Sequence, residues 1–129
     1  MKKTFIFCIL FAALLALAAC GAEEAAVNGS FTVIDADGNE LFSAEGSVPE
    51  GGSAGDLIVA LCQEAEFPYT YADGMYDNFN GIASTADAGW LLYLDGELAE
   101  TGADDTALSE GMVVEFRYLS YAEAYPEFY

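Results

Sequence analysis

The chain has 129 residues, with 22 acidic residues against three basic ones and no histidine, so its formal net charge at pH 7 is −19. This length accommodates one small domain, and the negative charge disfavours binding to nucleic acid or to an anionic lipid surface. Without histidine the chain lacks the commonest general base near neutral pH and the commonest transition-metal ligand, so neither an enzyme nor a metal site is expected.

The N-terminus has the three-part organisation of an export signal. Lys2 and Lys3 precede an apolar run from Phe5 to Ala16, which is too short for a permanent membrane span. The run ends in Leu17-Ala18-Ala19-Cys20, which resembles the lipobox of bacterial lipoproteins. The resemblance implies a signal peptide over residues 1–19, a lipid on Cys20, and a location on the outer face of the cell membrane or the cell surface of a bacterium. The alternative is a secreted protein that is cut near Ala19 and keeps an unmodified Cys20.

The segment after the signal is predicted to be a tether, and the cysteines are not expected to form disulfides. Residues 20–29 are predicted to be the lipidated cysteine and a short tether, because they are small and acidic and lack an apolar period. Cys8 lies in the signal and Cys20 carries the lipid, so Cys62 has no intramolecular partner and no disulfide framework is expected. Cys62 follows an apolar run, which favours a small buried hydrophobic residue over a reactive thiol.

A β-hairpin is predicted at the start of the domain. Residues 31–35 are rich in β-branched and aromatic side chains, Asp37-Gly38-Asn39 supplies turn residues, and the segment 40–44 forms the returning strand. The alternation of acidic residues in this turn suggests a calcium loop, but its glycine falls at the wrong position for one. The hairpin is therefore the preferred interpretation, and a Pro- and Gly-containing loop is expected over residues 47–52.

A single helix is predicted from Ser53 to about Glu66. Ser53 and Asp56 have the spacing of a capping box, and Phe67-Pro68 ends the helix. The apolar residues that share one face at helical spacing are Leu57, Ile58, Leu61, Cys62 and Ala65. We expect this face to pack on a sheet.

The second half of the chain is predicted to be mostly strands. Residues 69–80 are aromatic and polar without a clear period, and they are interpreted as irregular; residues 81–84 form a short strand. A hairpin follows over residues 89–99, with Asp95-Gly96 as its two-residue turn. The alternating segment 112–118 is a half-buried strand, and residues 122–129 form an aromatic, acidic tail.

This order of elements predicts an α+β domain over residues 30–121, in which one helix packs on a mixed sheet as in the β-grasp fold. Five landmarks are informative together: residues 48–51, Leu57 and Leu61, residues 76–84, residues 89–97 and residues 108–116. They resemble the transcobalamin-like C-terminal domain family, which occurs in animal cobalamin carriers and bacterial surface lipoproteins, and the resemblance covers the chain from about Ser30 to Tyr118. Asp95 and Met112 depart from the residues that the family often has at these positions.

The resemblance implies a β-grasp fold and binding of cobalamin or a related corrinoid. In the carriers this domain closes against a helical domain, so the resemblance also implies that cobalamin binding here either requires a partner protein or has been lost. Six aromatic residues are candidates for contact with a ligand: Tyr69, Tyr71, Tyr76, Phe79, Trp90 and Tyr93. Packing of Trp90 in the core, and folding of the tyrosine-rich loop over a sheet edge, are the competing interpretations.

The leading functional hypothesis is a membrane-anchored extracytoplasmic module that binds a small ligand, with cobalamin the foremost candidate and handover to a transporter as its purpose. The alternative hypothesis is a cell-surface adhesion or assembly module that binds protein or glycan through the same aromatic residues and the tail. No catalytic residue, resident cofactor or metal ligand is expected in either case.

Overall fold

The computed structural model describes residues 25–128, so the predicted signal peptide and Cys20 lie outside the described residues. The strands and the main helix follow one another in the order β1 (Ala26–Ile34), β2 (Glu40–Pro49), α1 (Ala54–Ala65), β3 (Tyr69–Ala72), β4 (Met75–Phe79), β5 (Ile82–Ala83), β6 (Ala88–Leu94), β7 (Glu97–Leu98) and β8 (Met112–Ser120). A short helix (Tyr121–Ala124) and two 3₁₀ turns, Ala103–Asp105 and Pro126–Phe128, complete the described chain.

The main sheet has five strands in the order β2-β1-β8-β6-β7. Its central pair, β1 and β8, is parallel, whereas the other pairs are antiparallel. Helix α1 follows the first hairpin and packs its buried residues into one core with those of β1, β6 and β8. This arrangement confirms the predicted α+β fold, a β-grasp-like mixed sheet with one packed helix.

Helix α1 begins where the capping box predicts. The Ser53 hydroxyl accepts a hydrogen bond from the Asp56 amide at 3.0 Å, and the Asp56 carboxylate accepts one from the Ser53 amide at 2.9 Å. These contacts satisfy amides that would otherwise lack partners at the helix start. Leu57, Ile58 and Cys62 are fully buried on the side that faces the sheet, as the helical spacing predicts.

A second, three-stranded sheet in the order β3-β4-β5 replaces the irregular segment expected over residues 69–80. Its two connections are the dipeptides Asp73-Gly74 and Asn80-Gly81, and φ is positive at all four residues. Type I′ hairpin turns require positive φ at both central residues, which Asp, Asn and Gly adopt most readily. The prediction was wrong because it relied on the missing apolar period and overlooked these turns.

Two further boundaries differ from the sequence prediction, and the tail, for which no structure was predicted, is partly helical. Strand β1 begins at Ala26 rather than Ser30, so four residues assigned to the tether pair with β2. Strand β2 continues to Pro49, into the predicted loop, and the tail forms the short helix and the 3₁₀ turn described above.

None of the helices within residues 25–128 has the length and apolarity required to cross a membrane.

Candidate ligand pocket

An aromatic cluster fills the space between the main sheet and the second sheet. Phe79 of β4 is fully buried at its centre. Its ring centroid lies 5.0 to 6.0 Å from four other rings, those of Phe31, Tyr76, Trp90 and Phe116. Aromatic rings at these separations attract one another in addition to burying apolar surface, so the cluster holds the second sheet in a defined position.

A small apolar pocket of about 120 Å³ opens beside this cluster. One wall is the turn between β3 and β4, the other is the loop at residues 102–103, and β6 and β8 form the floor. The lining residues are Gly74, Met75, Tyr76, Trp90, Leu91, Leu92, Gly102, Ala103 and Phe116. Concave, mostly apolar surfaces of this kind are typical of small-ligand sites.

Trp90 is held rigidly in the floor of the pocket. Its indole N–H donates a hydrogen bond to the carbonyl oxygen of Ile82 at 2.7 Å, and its ring makes edge-to-face contacts with Phe79 and Tyr118 at 5.2 and 5.0 Å. Only 6% of the residue is exposed. Trp90 is therefore primarily a packing residue, and a ligand in the pocket would meet the part of its surface that remains open.

Tyr71 and Asp104 join the two walls of the pocket. The Tyr71 hydroxyl on β3 donates a hydrogen bond to the Asp104 carboxylate, which follows the wall residue Ala103. The Tyr71 ring also lies 4.7 Å from the ring of Tyr76, which lines the pocket. The hydrogen bond to Asp104 raises the pKa of the Tyr71 phenol, with a smaller contribution from desolvation, so it stays protonated and remains the donor.

Asp104 also lies against the first turn of α1. A Cβ atom on Gly55 would collide with its carboxylate, so this approach depends on the absence of a side chain at position 55. The Tyr76 hydroxyl points toward the same turn and reaches the Gly55 carbonyl oxygen at 3.5 Å. Burial raises the pKa of Tyr76, and the nearby Asp104 raises it further.

The positive charge of Arg117 lies away from the pocket, on the open face of the sheet, which we define as the side opposite α1. Arg117 contacts Glu115 at 2.7 Å and stacks over Tyr93 at 4.1 Å from the ring centroid. Arg117 is the only basic residue in the described part of the chain. The surroundings of the pocket therefore carry acidic groups without a basic partner.

The structure thus brings only some of the six predicted ligand-contact residues to the pocket. Tyr76 and Trp90 line the pocket, Tyr71 lies beside it, and Tyr69 packs against Tyr76 with 6.1 Å between ring centroids. Phe79 has no exposed surface, and Tyr93 lies on the opposite side of the sheet, so neither reaches the pocket. The lining residues that the sequence interpretation missed are Gly74, Met75, Leu91, Leu92, Gly102, Ala103 and Phe116.

A larger, shallower groove of about 570 Å³ lies at the ends of β1 and β2. Its lining consists mainly of backbone and of small or polar residues, among them Ser30 and Ser47, and it includes no aromatic ring. Ligand sites combine apolar walls with a few convergent polar groups. The smaller aromatic pocket meets this description and the larger groove does not.

Within residues 25–128 no group of three carboxylate or thiol side chains lies close enough together to hold a metal ion. The thiol of Cys62 is fully buried, and burial raises its pKa to about 11. A thiol that stays protonated is a poor nucleophile and a poor metal ligand. Cys62 therefore acts as a small packing residue.

Fold and site together define a β-grasp domain with an aromatic pocket between its two sheets. The family described as a domain of unknown function (DUF4430) matches residues 55–120, about half of the chain, and the protein belongs to that family. No curated protein sequence matches the chain significantly.

Seventeen chains of solved structures match significantly, and two of them illustrate the fold that they share with this chain. Haptocorrin in complex with Cbi matches with a TM-score of 0.65 and 13% identity, over 76% of this chain and 26% of haptocorrin, so the chain spans about a quarter of that protein. A protein from Ruminococcus gnavus ATCC 29149, provisionally described as metal binding, matches with a TM-score of 0.56 and 19% identity, over 73% of this chain and 97% of its own. At these identities the matches show a shared fold, and that fold is the one that the resemblance to the transcobalamin-like C-terminal domain family implies.

Proposed function

We propose that the protein is a lipid-anchored extracytoplasmic binding module whose aromatic pocket takes part of a corrinoid such as cobalamin. The observation that carries this proposal is the apolar pocket, which is lined in part by Trp90, Tyr76 and Phe116. The pocket lies on a fold that is shared with a structure of haptocorrin in complex with Cbi. The role is binding without catalysis, and its purpose is the uptake of the ligand through a transporter or surface protein.

The size of the pocket limits how such a ligand is held. Pockets that enclose a drug-sized molecule have volumes of roughly 300–1,000 Å³, whereas this one has about 120 Å³. The pocket therefore accepts one projecting group of a corrinoid, and the rest of the ligand lies over the rim. A partner protein that covers the exposed side of the ligand would complete the site.

Met75 offers a direct test of this site, because it lines the pocket and is nonetheless 68% exposed. Met75→Glu places a charge at the rim, where an apolar ligand group would have to desolvate it, without removing a core side chain. Val113→Glu is the matched control, since Val113 is 41% exposed on the open face. Equilibrium dialysis of the full-length protein in detergent against cobalamin measures both.

We expect binding to the unmodified protein and to Val113→Glu, with a loss of roughly tenfold or more in Met75→Glu. Equal binding by all three proteins would contradict the pocket as the site. No binding at high micromolar cobalamin, with folded protein verified by circular dichroism, would contradict the ligand class.

The lipid anchor is tested separately by mass spectrometry of the protein purified from a bacterial host. The proposal requires a product that begins at Cys20 and carries acyl chains on that residue. At about 0.8 kcal/mol for each buried methylene, two or more chains hold such a domain stably at a membrane. An intact Met1, or an unmodified Cys20, would contradict the proposed location.

An adhesion or assembly role is the second candidate, because the tail presents an apolar ring to solvent. Phe128 is 78% exposed, so its ring is available to contact a partner. Deletion of residues 122–129 would abolish attachment to a protein or glycan surface if the tail carries this role. Corrinoid binding that survives the deletion would support the pocket instead.

A further inference from the structure

The turn between β3 and β4 forms a wall of the pocket, but very little holds it in place. The base of the second sheet is anchored to the main sheet by the hydrogen bond from Trp90 to the Ile82 carbonyl oxygen at 2.7 Å and by a second bond from the Tyr118 hydroxyl to the Ala83 carbonyl oxygen at 2.9 Å. The fully buried Phe79 fixes the end of β4. The base is therefore a fixed part of the fold.

The tip of the hairpin, residues 71–75, lacks such anchors. Tyr71 and Met75 are 43% and 68% exposed, and Ala72, Asp73 and Gly74 are exposed as well. Among the described residues, the side-chain hydrogen bond that ties the tip to another element is the one from Tyr71 to Asp104. Segments with few buried contacts and exposed backbone open at low free-energy cost.

We propose that residues 71–75 are a flap over the aromatic pocket and that the hydrogen bond between Tyr71 and Asp104 is the latch that keeps the flap closed. The latch joins the two walls of the pocket, because Gly74 and Met75 belong to one wall while Gly102 and Ala103, next to Asp104, belong to the other. Opening separates these walls and enlarges a space that is too small for a whole ligand when closed.

The proposal rests on the proposed function for its purpose, since it takes the aromatic pocket as the ligand site. The opening of the flap and the effect of the latch on it can be measured without any ligand. The strength of the latch sets the fraction of molecules with an open pocket, and a ligand that requires the open state binds with an affinity reduced by that fraction.

Hydrogen–deuterium exchange of the full-length, ligand-free protein tests the latch. Tyr71→Phe removes the hydroxyl and keeps the ring. Tyr71 is half-exposed, so water competes for its hydroxyl, and the hydrogen bond stabilises the closed flap only by the lower end of the range for hydrogen bonds to charged groups. Loss of this bond should therefore accelerate the exchange of residues 71–75 roughly tenfold. Asp104→Asn, which keeps an acceptor but removes its charge, should produce a smaller acceleration at the same residues.

Tyr118→Phe is the matched control, because it also removes one tyrosine hydroxyl that holds the second sheet, but at the base. It should accelerate exchange near Ile82 and Ala83 and leave residues 71–75 unchanged. Unchanged exchange of residues 71–75 in Tyr71→Phe would overturn the latch, whether or not the protein binds cobalamin. Equal acceleration throughout both sheets in Tyr71→Phe would also overturn it, since that result indicates a general loss of stability.

Discussion

Replacement of Trp90 by phenylalanine tests whether this residue organises the pocket. The indole N–H donates to the Ile82 carbonyl oxygen, which is the link between β6 and the base of the second sheet. Phenylalanine keeps an aromatic ring but removes this donor and part of the volume that separates Phe79 from Tyr118. The substitution therefore weakens the junction of the two sheets and enlarges the pocket in one step.

The expected magnitude follows from the contacts that are lost. Loss of the hydrogen bond removes about 1 kcal/mol of stability. The exchange of indole for phenyl leaves about 40 Å³ unfilled, which at ~24 cal/mol per Å³ costs about 1 kcal/mol. The altered edge-to-face contacts add about 0.5 kcal/mol. Trp90→Phe should therefore lower the free energy of unfolding by about 2–3 kcal/mol.

Thermal unfolding followed by circular dichroism measures this effect. For a domain of this size, a loss of 2–3 kcal/mol corresponds to a Tm lower by roughly 10–20 °C. Tyr93→Phe is the control on the same strand, because the phenyl ring keeps the stacking with Arg117, and its unfolding free energy should change by less than about 0.5 kcal/mol. A Tm for Trp90→Phe equal to that of the control would refute the structural role assigned to Trp90.

Three further substitutions or reactions probe the framework of the site. Ser53→Ala removes the capping hydroxyl that accepts from Asp56, and denaturant unfolding should show a loss of about 1 kcal/mol; an unchanged midpoint would contradict the capping role. Gly55→Ala should displace the Asp104 carboxylate and accelerate exchange of the flap, although alanine favours a helix; slower exchange would contradict the contact. Burial raises the pKa of Cys62 to about 11, so a disulfide reagent should label it at pH 8 only after unfolding, and rapid labelling of the folded protein would contradict its burial.

The elements predicted correctly are those fixed by local chemistry. The capping box at Ser53 and Asp56 sets the start of α1, and Asp95-Gly96 sets the turn between β6 and β7, with positive φ at both residues. The alternation of residues 112–118 predicts strand β8 because successive side chains of a strand point to opposite faces. Each of these signals spans fewer than about ten residues and needs no knowledge of the rest of the fold.

The second sheet carried the same kind of signal and was nonetheless missed. Asp73-Gly74 and Asn80-Gly81 have the turn chemistry that identified Asp95-Gly96. The odd spacing of Trp90 and Tyr93 also places their side chains on opposite faces of β6. Strand periodicity thus argued against placing both side chains in one site.

The rest of the pocket required the structure. Gly102 and Ala103 line it from a loop whose position depends on contacts with α1, and Phe116 and Leu92 reach it from strands that pair only in the folded sheet. Nothing in the local sequence around these residues indicates their proximity. The latch between Tyr71 and Asp104 has the same origin, because it joins residues 33 positions apart.

The emission of Trp90 during a cobalamin titration tests the central claim most directly, because this residue is the only tryptophan of the chain and lies in the floor of the pocket. We expect saturable quenching in the full-length protein and in Val113→Glu, at the concentrations at which dialysis shows binding, and little quenching in Met75→Glu. Emission that stays constant while dialysis shows bound cobalamin would place the ligand elsewhere on the protein and contradict the account.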